Sequence, residues 1–217
     1  MRHTRLLTCA AVLAAALDAG ALAAGQLASR PAEEWTKVLD AANRVAGLRI
    51  DEIVPRLQLK PGDIVADLGA GSGLFEVQLA KAVLPGGHVY AVDIDEGFFP
   101  DIRKRAAEAG LNNVTTVLGR FTDPNLPVKN VDVAFFHDVL HHVEDRAAYL
   151  KSAGAYLKPT GRVVIIDYEA NQGPHAKQAE LQVTRQQLGP WMAAAGFTQS
   201  DDIKLFSDRY FLVFSKR

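Results

Sequence analysis

The sequence predicts an α/β fold: a doubly wound, mostly parallel seven-stranded sheet whose last strand is antiparallel. Five short apolar segments begin near residues 64, 88, 114, 131 and 162, and helix-like segments alternate with them. Near-continuous apolar strands interleaved with helices are typical of a parallel sheet that is covered on both faces. Two more apolar segments, at 203–206 and 210–214, suit a closing antiparallel pair.

The first half of the chain gives clear boundaries for its elements. Residues 33–59 carry apolar side chains three to four positions apart, which predicts a helix. A Lys-Pro-Gly-Asp turn then leads to a strand over Ile64–Leu68, and 74–84 is predicted to be helical up to a Pro-Gly-Gly sequence. A second strand at 88–94 and a helix at 98–109, which Gly110 ends, complete this half.

The second half begins with predicted strands at Val114–Leu118 and 131–136. A helix is expected over 145–157, followed by a Pro-Thr-Gly turn and a strand at 162–168. A long polar loop, 169–182, is a candidate substrate loop that contains His175. It precedes a helical stretch that ends at Gly196.

Composition excludes several classes of function. The 217 residues carry a net charge of −1, so there is no basic excess to bind phosphates, and we expect no nucleic-acid partner. Cys9 is the only cysteine, and it lies in the N-terminal leader. A disulfide, a cysteine-ligated zinc and a catalytic thiol are therefore not expected in the folded part.

The first 23 residues have the features of a signal peptide. Arg2 and Arg5 precede a short apolar run, and Ala21 and Ala23 form a small-residue end. We predict a signal peptide over 1–23, a linker and helical leader over 24–59, and the main domain over 60–217. A true signal peptide would make the protein periplasmic or secreted, without stable membrane association after removal of the leader; otherwise it would be cytoplasmic.

A glycine-rich sequence, DLGAGSG at residues 67–73, spans the end of the first strand and the turn after it. The dinucleotide fingerprint G-x-G-x-x-G would need its third glycine at position 74, which is Leu74. The acidic Asp67 suits an ammonium group, and glycine N–H groups suit a carboxylate. This combination favours the amino-acid end of S-adenosylmethionine (SAM) over a pyrophosphate.

A second carboxylate, Asp93, ends the second strand. An acid at this position accepts hydrogen bonds from both hydroxyls of a ribose, as in nicotinamide-dependent proteins. Together with the glycine turn it predicts a nucleoside site at the carboxyl edge of the sheet.

Residues 64–161 resemble the domain of class-I SAM-dependent methyltransferases of quinone biosynthesis and related small-molecule pathways. The glycine turn, Asp93, the Leu-His-His-Val sequence at 140–143 and the Leu-Lys-Pro-Thr-Gly sequence at 157–161 carry this resemblance. It implies a Rossmann-like methyltransferase fold with SAM as cofactor and with the methyl group directed toward the end of the fourth strand. The cofactor residues that it implies are Asp67, Gly69, Ala70, Gly71, Gly73, Asp93, Ile94 and Phe121.

One segment departs from the family. After the third strand the family often has Gly-Asp-Ala, whereas this chain has Gly119, Arg120 and Phe121. Arginine cannot accept a hydrogen bond from the adenine amino group. Either Asp123 takes that role or Phe121 packs on the adenine. In the predicted leader, Arg49 could contact a carboxylate of the cofactor.

Histidines cluster after the fourth strand, in the segment 137–142. His137 is our first candidate for a catalytic base, His141 the second, and Asp138 is a candidate to orient the base or to contact SAM. Alternatively, these histidines only line the cleft, or His137 and His141 bind a metal together with Glu144 or Asp138. We expect no metal.

The sequence therefore predicts an enzyme that transfers a methyl group from SAM to a small-molecule acceptor. Three alternatives stay open: a SAM-binding protein without turnover, a nicotinamide oxidoreductase, and an exported metal-binding protein that uses the 137–142 cluster.

Overall fold

A seven-stranded sheet in the order β3-β2-β1-β4-β5-β7-β6 organises the protein. The structure is a computed structural model that describes residues 31–217. The strands are β1 (Ile64–Leu68), β2 (His88–Asp93), β3 (Val114–Leu118), β4 (Val131–His137), β5 (Leu157–Tyr168), β6 (Phe197–Asp202) and β7 (Arg209–Lys216). β1 to β5 pair in parallel, and β7 is antiparallel to both of its neighbours, so the predicted fold class is confirmed.

The strand order reverses at β1, which pairs with β2 on one side and with β4 on the other. Chain connections leave β1 and β4 toward opposite faces of such a sheet. A crevice therefore opens beyond their carboxyl ends, and this is where open α/β sheets bind ligands.

Seven α-helices lie in the described part of the chain. They are α1 (Ala32–Leu39), α2 (Ala42–Leu48), α3 (Ile50–Arg56), α4 (Glu76–Ala82), α5 (Phe99–Glu108), α6 (Arg146–Gly154) and α7 (Arg185–Ala194). Alternate residues of β4 serve opposite faces: Phe135 packs in a cluster with α3 and α4, while Phe136 packs in a cluster with α6 and α7. The sheet is thus buried on both sides, as its apolar strands predict.

The helical leader differs from the single predicted helix over 33–59, because it is divided into α1, α2 and α3. Arg49 separates α2 from α3 with a left-handed backbone, at φ 54°. Its guanidinium bonds Glu52 and the Leu205 carbonyl, and these contacts hold the turn. The 3.6-residue periodicity continues through the break, which is why sequence alone did not show it.

The predicted strand at 203–206 was wrong, because β6 covers Phe197–Asp202 instead. β6 is an edge strand of which only Phe197 is buried, so its sequence lacks the apolar pattern of the other strands. The predicted helix at 145–157 also ends earlier, at Gly154, because β5 already begins at Leu157. An irregularity in the register with β4 accommodates the Pro-Thr-Gly sequence inside β5.

The predicted signal peptide, residues 1–23, lies outside the described residues and stays a prediction. Over 31–217, no helix has the length and apolar character that crossing a bilayer requires.

Candidate functional site

A cleft of about 540 Å³ opens beyond the carboxyl ends of β1, β2 and β4. This volume is within the range of small-molecule sites. Its walls come from the glycine turn, from the end of β2, from the segment after β4 and from the α1–α2 leader. Most predicted site residues line it: Asp67, Gly69, Ala70, Gly71, Asp93, Ile94, Phe121, His137 and Asp138.

The glycine turn between β1 and α4 is closely packed. The Gly69 N–H donates to the Val92 carbonyl at 2.8 Å, and Gly69 has a φ of +89°. A Cβ at Gly69 would lie 2.2 Å from Cγ2 of Val139. Gly73, the one predicted cofactor residue outside the cleft lining, packs on α5, where a Cβ would lie 2.7 Å from Cγ1 of Ile102. Glycine is therefore required at both positions by space as well as by backbone conformation.

Two buried carboxylates stand together under this turn. Asp67 was predicted, but Glu76, at the start of α4, was not; both are buried. Burial raises the pKa of Glu76 to about 7, and burial together with Glu76 raises the pKa of Asp67. A positive group that enters the cleft beside Asp67 would offset this excess of negative charge. The pair therefore fits the ammonium group of an amino acid. The methionine part of SAM carries such a group, so the residues present fit this cofactor.

Asp93 is oriented by the backbone around it. One carboxylate oxygen accepts from the Gly71 N–H at 2.8 Å, and the other accepts from the Asp95 N–H at 3.0 Å. Because a carboxylate oxygen can accept more than one hydrogen bond, both oxygens keep capacity for ribose hydroxyls. Burial raises the pKa of Asp93, and these backbone hydrogen bonds act in the opposite direction.

Phe121, one of the two candidates for the adenine contact, lines the cleft and is 58% exposed. Asp123, the other candidate for the adenine, accepts hydrogen bonds from Ser152 and Tyr156. Asp123 is not part of the cleft lining. Of the two alternatives, the geometry favours Phe121 as the adenine contact.

His137 is the last residue of β4 and is buried against Phe75, with ring centroids 4.8 Å apart. Burial lowers the pKa of His137. Its Nε2 atom has no hydrogen-bond partner among residues 31–217. Its Nδ1 lies 3.7 Å from the Asp138 carboxylate, which is beyond a hydrogen bond, so Asp138 does not orient the ring here.

His141 and His142 belong to a 3₁₀ turn, Leu140–His142, and lie against His175 from the 169–182 loop. Nδ1 of His141 lies 2.8 Å from the buried carboxylate of Asp167. His142 lines the cleft, whereas His141, the second candidate base, is buried outside the cleft lining. Burial, with His141 and His175 nearby, lowers the pKa of His142 to about 3.

The metal-binding alternative from the sequence is met only in part: His141 and His142 of the 137–142 cluster are grouped, but His137 is not among them. His137 ends a strand and His141 lies in a 3₁₀ turn, so the two do not share a helix face. Within the described residues, the grouped potential ligands are His141, His142 and His175, and the group does not include His137, Asp138 or Glu144.

The leader covers the cleft but not as predicted. Arg44 and Trp35 line the cleft, whereas Arg49 faces Glu52 and Phe206 outside it. Arg49 is therefore not a contact for the cofactor in this structure.

A family model described as "Methyltransferase domain" matches residues 59–201. Among curated proteins, phosphoethanolamine N-methyltransferase 1 of Arabidopsis thaliana is 30% identical over 156 residues, which are 68% of this chain and 31% of the relative. The chain thus spans less than a third of that protein, a quarter of the phosphoethanolamine N-methyltransferase 1 of Zea mays, and about half of the demethylmenaquinone methyltransferases of Listeria that it also matches.

Solved structures share the fold. A SAM-dependent methyltransferase from Aquifex aeolicus matches with a TM-score of 0.74 at 23% identity, covering 83% of this chain and 96% of the other. The 1,6-didemethyltoxoflavin-N1-methyltransferase of Burkholderia thailandensis, solved with bound 1,6-didemethyltoxoflavin and S-adenosylhomocysteine, matches with a TM-score of 0.69 at 24% identity. That match covers 96% of this chain and 93% of the other.

Proposed function

This chain belongs to the methyltransferase domain family of class-I, SAM-dependent enzymes, and we propose from this premise that it methylates a small-molecule acceptor at the end of β4. One observation carries the proposal. A single cleft brings together a glycine turn above two carboxylates, a strand-end acid and a buried histidine.

The cofactor wall has the groups that SAM needs. We propose that Asp67 accepts from the ammonium group and that Asp93 accepts from the ribose. The N–H groups of Gly69, Ala70, Gly71 and Gly73, which the sequence offered to the carboxylate, already donate within the protein and are not assigned to it. Phe121 packs on the adenine. When bound, SAM supplies an electrophilic methyl group on a sulfonium.

His137 is the residue best suited to receive a proton from the acceptor. Its pKa is lowered by burial, so the imidazole is neutral near pH 7, and its Nε2 has no partner among the described residues. A hydroxyl or thiol that reached the buried Nε2 would hydrogen-bond to it. It would transfer its proton there as its oxygen or sulfur bonds to the methyl carbon and the methyl–sulfonium bond breaks, which leaves S-adenosylhomocysteine. A positioned base of this kind adds typically about 10²–10⁴-fold to a rate.

Cleft size and charge support a small acceptor. The volume of about 540 Å³ must hold both cofactor and acceptor, and the chain's net charge of −1 gives no overall basic excess that would favour a nucleic acid. The names of the Arabidopsis and Burkholderia proteins also specify small-molecule substrates. We therefore propose a small molecule and not a polymer as the acceptor.

Calorimetry with SAM tests the cofactor part directly. We expect one site per chain, with affinity reduced roughly 10- to 150-fold in Asp93→Asn, because hydrogen bonds to a charged group contribute about 1.5–3 kcal/mol. Glu108→Gln removes an equal charge from the exposed face of α5 and is the matched control. Wild-type affinity in Asp93→Asn, or no binding by the wild type, would contradict the assignment.

Turnover requires a second measurement. Release of S-adenosylhomocysteine should rise when a panel of phenols, thiols and amines is added to the enzyme with SAM. A protein that binds SAM but releases no product with any of these acceptors would instead be a SAM-binding protein without turnover.

A further inference from the structure

We propose that His141, His142 and His175 bind one Zn²⁺ ion beside the acceptor end of the cleft. The three side chains come from two separate segments, the 3₁₀ turn after β4 and the 169–182 loop. One nitrogen from each ring lies within 4.8 Å of the others. This group is separate from the residues assigned to SAM and from His137.

The distances suit a metal after small side-chain rotations. Ring centroids are 4.2 Å apart for His141 and His142, 5.1 Å for His141 and His175, and 5.3 Å for His142 and His175. Zn–N bonds of about 2.0–2.1 Å place the nitrogens of a tetrahedral site roughly 3.3 Å apart. The rings must therefore converge by at most about 1.5 Å, which χ rotations of three adjacent side chains can provide.

Oxygen acceptors lie beside Nδ1 of two of the three rings. Nδ1 of His141 lies 2.8 and 3.0 Å from the two carboxylate oxygens of Asp167, and Nδ1 of His175 lies 2.7 Å from Oε1 of Gln178. Because these oxygens accept, each Nδ1 carries the proton, and Nε2 keeps its lone pair for a ligand bond. A carboxylate behind a liganding histidine is the usual outer partner in zinc sites.

The surrounding chain holds the two segments together. The Arg146 guanidinium donates to the carbonyls of His141 and Glu180, at 2.9 and 2.7 Å, and so connects the turn to the loop. Gln182 donates to the Ala176 carbonyl at 3.0 Å and accepts from the Asn171 N–H at 3.0 Å. The loop therefore presents His175 from a cross-linked scaffold.

The ligand set selects the metal by type. Three neutral imidazoles suit zinc and the neighbouring transition metals, whereas Mg²⁺ and Ca²⁺ require oxygen ligands. Three protein ligands also leave a fourth position open, as in catalytic zinc sites. His142 lines the cleft, so an acceptor heteroatom could occupy that position; this last step rests on the proposed function, whereas zinc binding itself does not.

Zinc uptake by the full chain, produced without a histidine tag and stripped with chelator, tests the site. We expect calorimetry and elemental analysis to give one Zn²⁺ per chain. Asp167→Asn should weaken binding by about 10- to 100-fold, as for other outer partners of a zinc site. His175→Ala removes a ligand and should weaken it further.

The matched control is His88→Ala. His88 is the first residue of β2, at the end of the strand away from the cleft, where its imidazole contacts Thr115. The variant should bind zinc as the wild type does. Equal zinc uptake by the wild type and His175→Ala, or equal loss in His88→Ala, would overturn the site and leave a stack of packed imidazoles. SAM titration of the same samples separates the proposals, because failure of SAM binding counts against the methyltransferase assignment and leaves the zinc result intact.

Discussion

The glycine turn and a group of four histidines, which we call the histidine wall and of which His137 and His142 line the cleft, are assembled in different ways. The turn uses seven consecutive residues, 67–73, and its glycines pack directly against side chains of other elements. The histidine wall takes His137 from a strand, His141 and His142 from a 3₁₀ turn, and His175 from a loop. The first is a local structure, whereas the second exists only when distant segments meet.

This difference predicts separate roles for the two regions, ligand positioning for the glycine turn and chemistry for the histidine wall. The turn offers a closely packed backbone and buried carboxylates, which position a ligand by shape and charge. The histidine wall offers neutral imidazoles, which can take a proton from a reacting group or bind a metal. We therefore expect changes in the turn to alter stability and SAM affinity, and changes in the histidine wall to alter turnover.

The largest expected effect is on catalysis, in His137→Gln. Removal of the base should lower kcat by about 10²–10⁴-fold while the affinity for SAM stays near that of the wild type. Single-turnover kinetics and SAM calorimetry on the same preparation measure the two quantities. His88→Gln, with a histidine outside the cleft, serves as the control and should turn over normally. If His137→Gln retained the wild-type kcat, His137 would only line the cleft, and the proposed division would fail.

Gly69→Ala tests the other wall. The added Cβ would lie 2.2 Å from Val139, and an alanine at a φ of +89° is strained. We expect the free energy of unfolding to fall by roughly 2–5 kcal/mol, from overpacking and backbone strain together. Urea denaturation measures the fall, and SAM affinity should decrease with it.

Gly189→Ala is the matched control for that substitution. Gly189 lies inside α7, and a Cβ there would have no heavy atom within 4 Å. Alanine in a helix interior should leave stability unchanged or raise it by about 0.5–1 kcal/mol. Equal destabilisation by both substitutions would show that tight packing is not particular to the glycine turn.

The same contrast explains how much could be predicted from the sequence. The fold class and the glycine turn were predicted because apolar strand patterns and glycine spacing are local signals. β6 was missed because an edge strand needs few apolar residues. Glu76 was missed although a signal was present, since it is a charge within the apolar run that opens α4. No local pattern could pair His175 with His141, because only the fold brings residues 34 positions apart together.

Glu76 gives the turn a pH dependence whose sign is fixed by its raised pKa. The pKa of Glu76 is about 7 in the folded protein and 4.5 when unperturbed. Between pH 4.5 and 7, the Glu76 carboxyl therefore holds a proton in the folded state that it loses in the unfolded state. The contribution of Glu76 to the free energy of unfolding is therefore fully present below pH 4.5 and is lost as pH rises through 7. The shift corresponds to a loss on the order of 3 kcal/mol.

Glu76→Gln should remove that loss, so the variant gains stability relative to the wild type as pH rises from 5 to 8. Urea denaturation across this range measures the difference. Comparing the two proteins is necessary because His142, with its lowered pKa, contributes with the opposite sign. The exposed substitution Glu108→Gln should show no such gain. A variant curve parallel to that of the wild type would mean that Glu76 is ionised at neutral pH.

Thr184→Ala is expected to have the smallest effect and to act on the histidine wall alone. Thr184 caps α7 just after the 169–182 loop: its hydroxyl accepts from the Gln187 N–H at 3.3 Å, and the Gln187 side chain accepts from the Thr184 N–H at 2.8 Å. Loss of this cap should cost about 1 kcal/mol. Because the histidine wall joins separate segments, we expect hydrogen exchange to accelerate in 169–188 and to stay unchanged in 67–73. Ser200→Ala on the exposed edge strand should change neither region, whereas equal acceleration in both walls under Thr184→Ala would mean that they open as one unit.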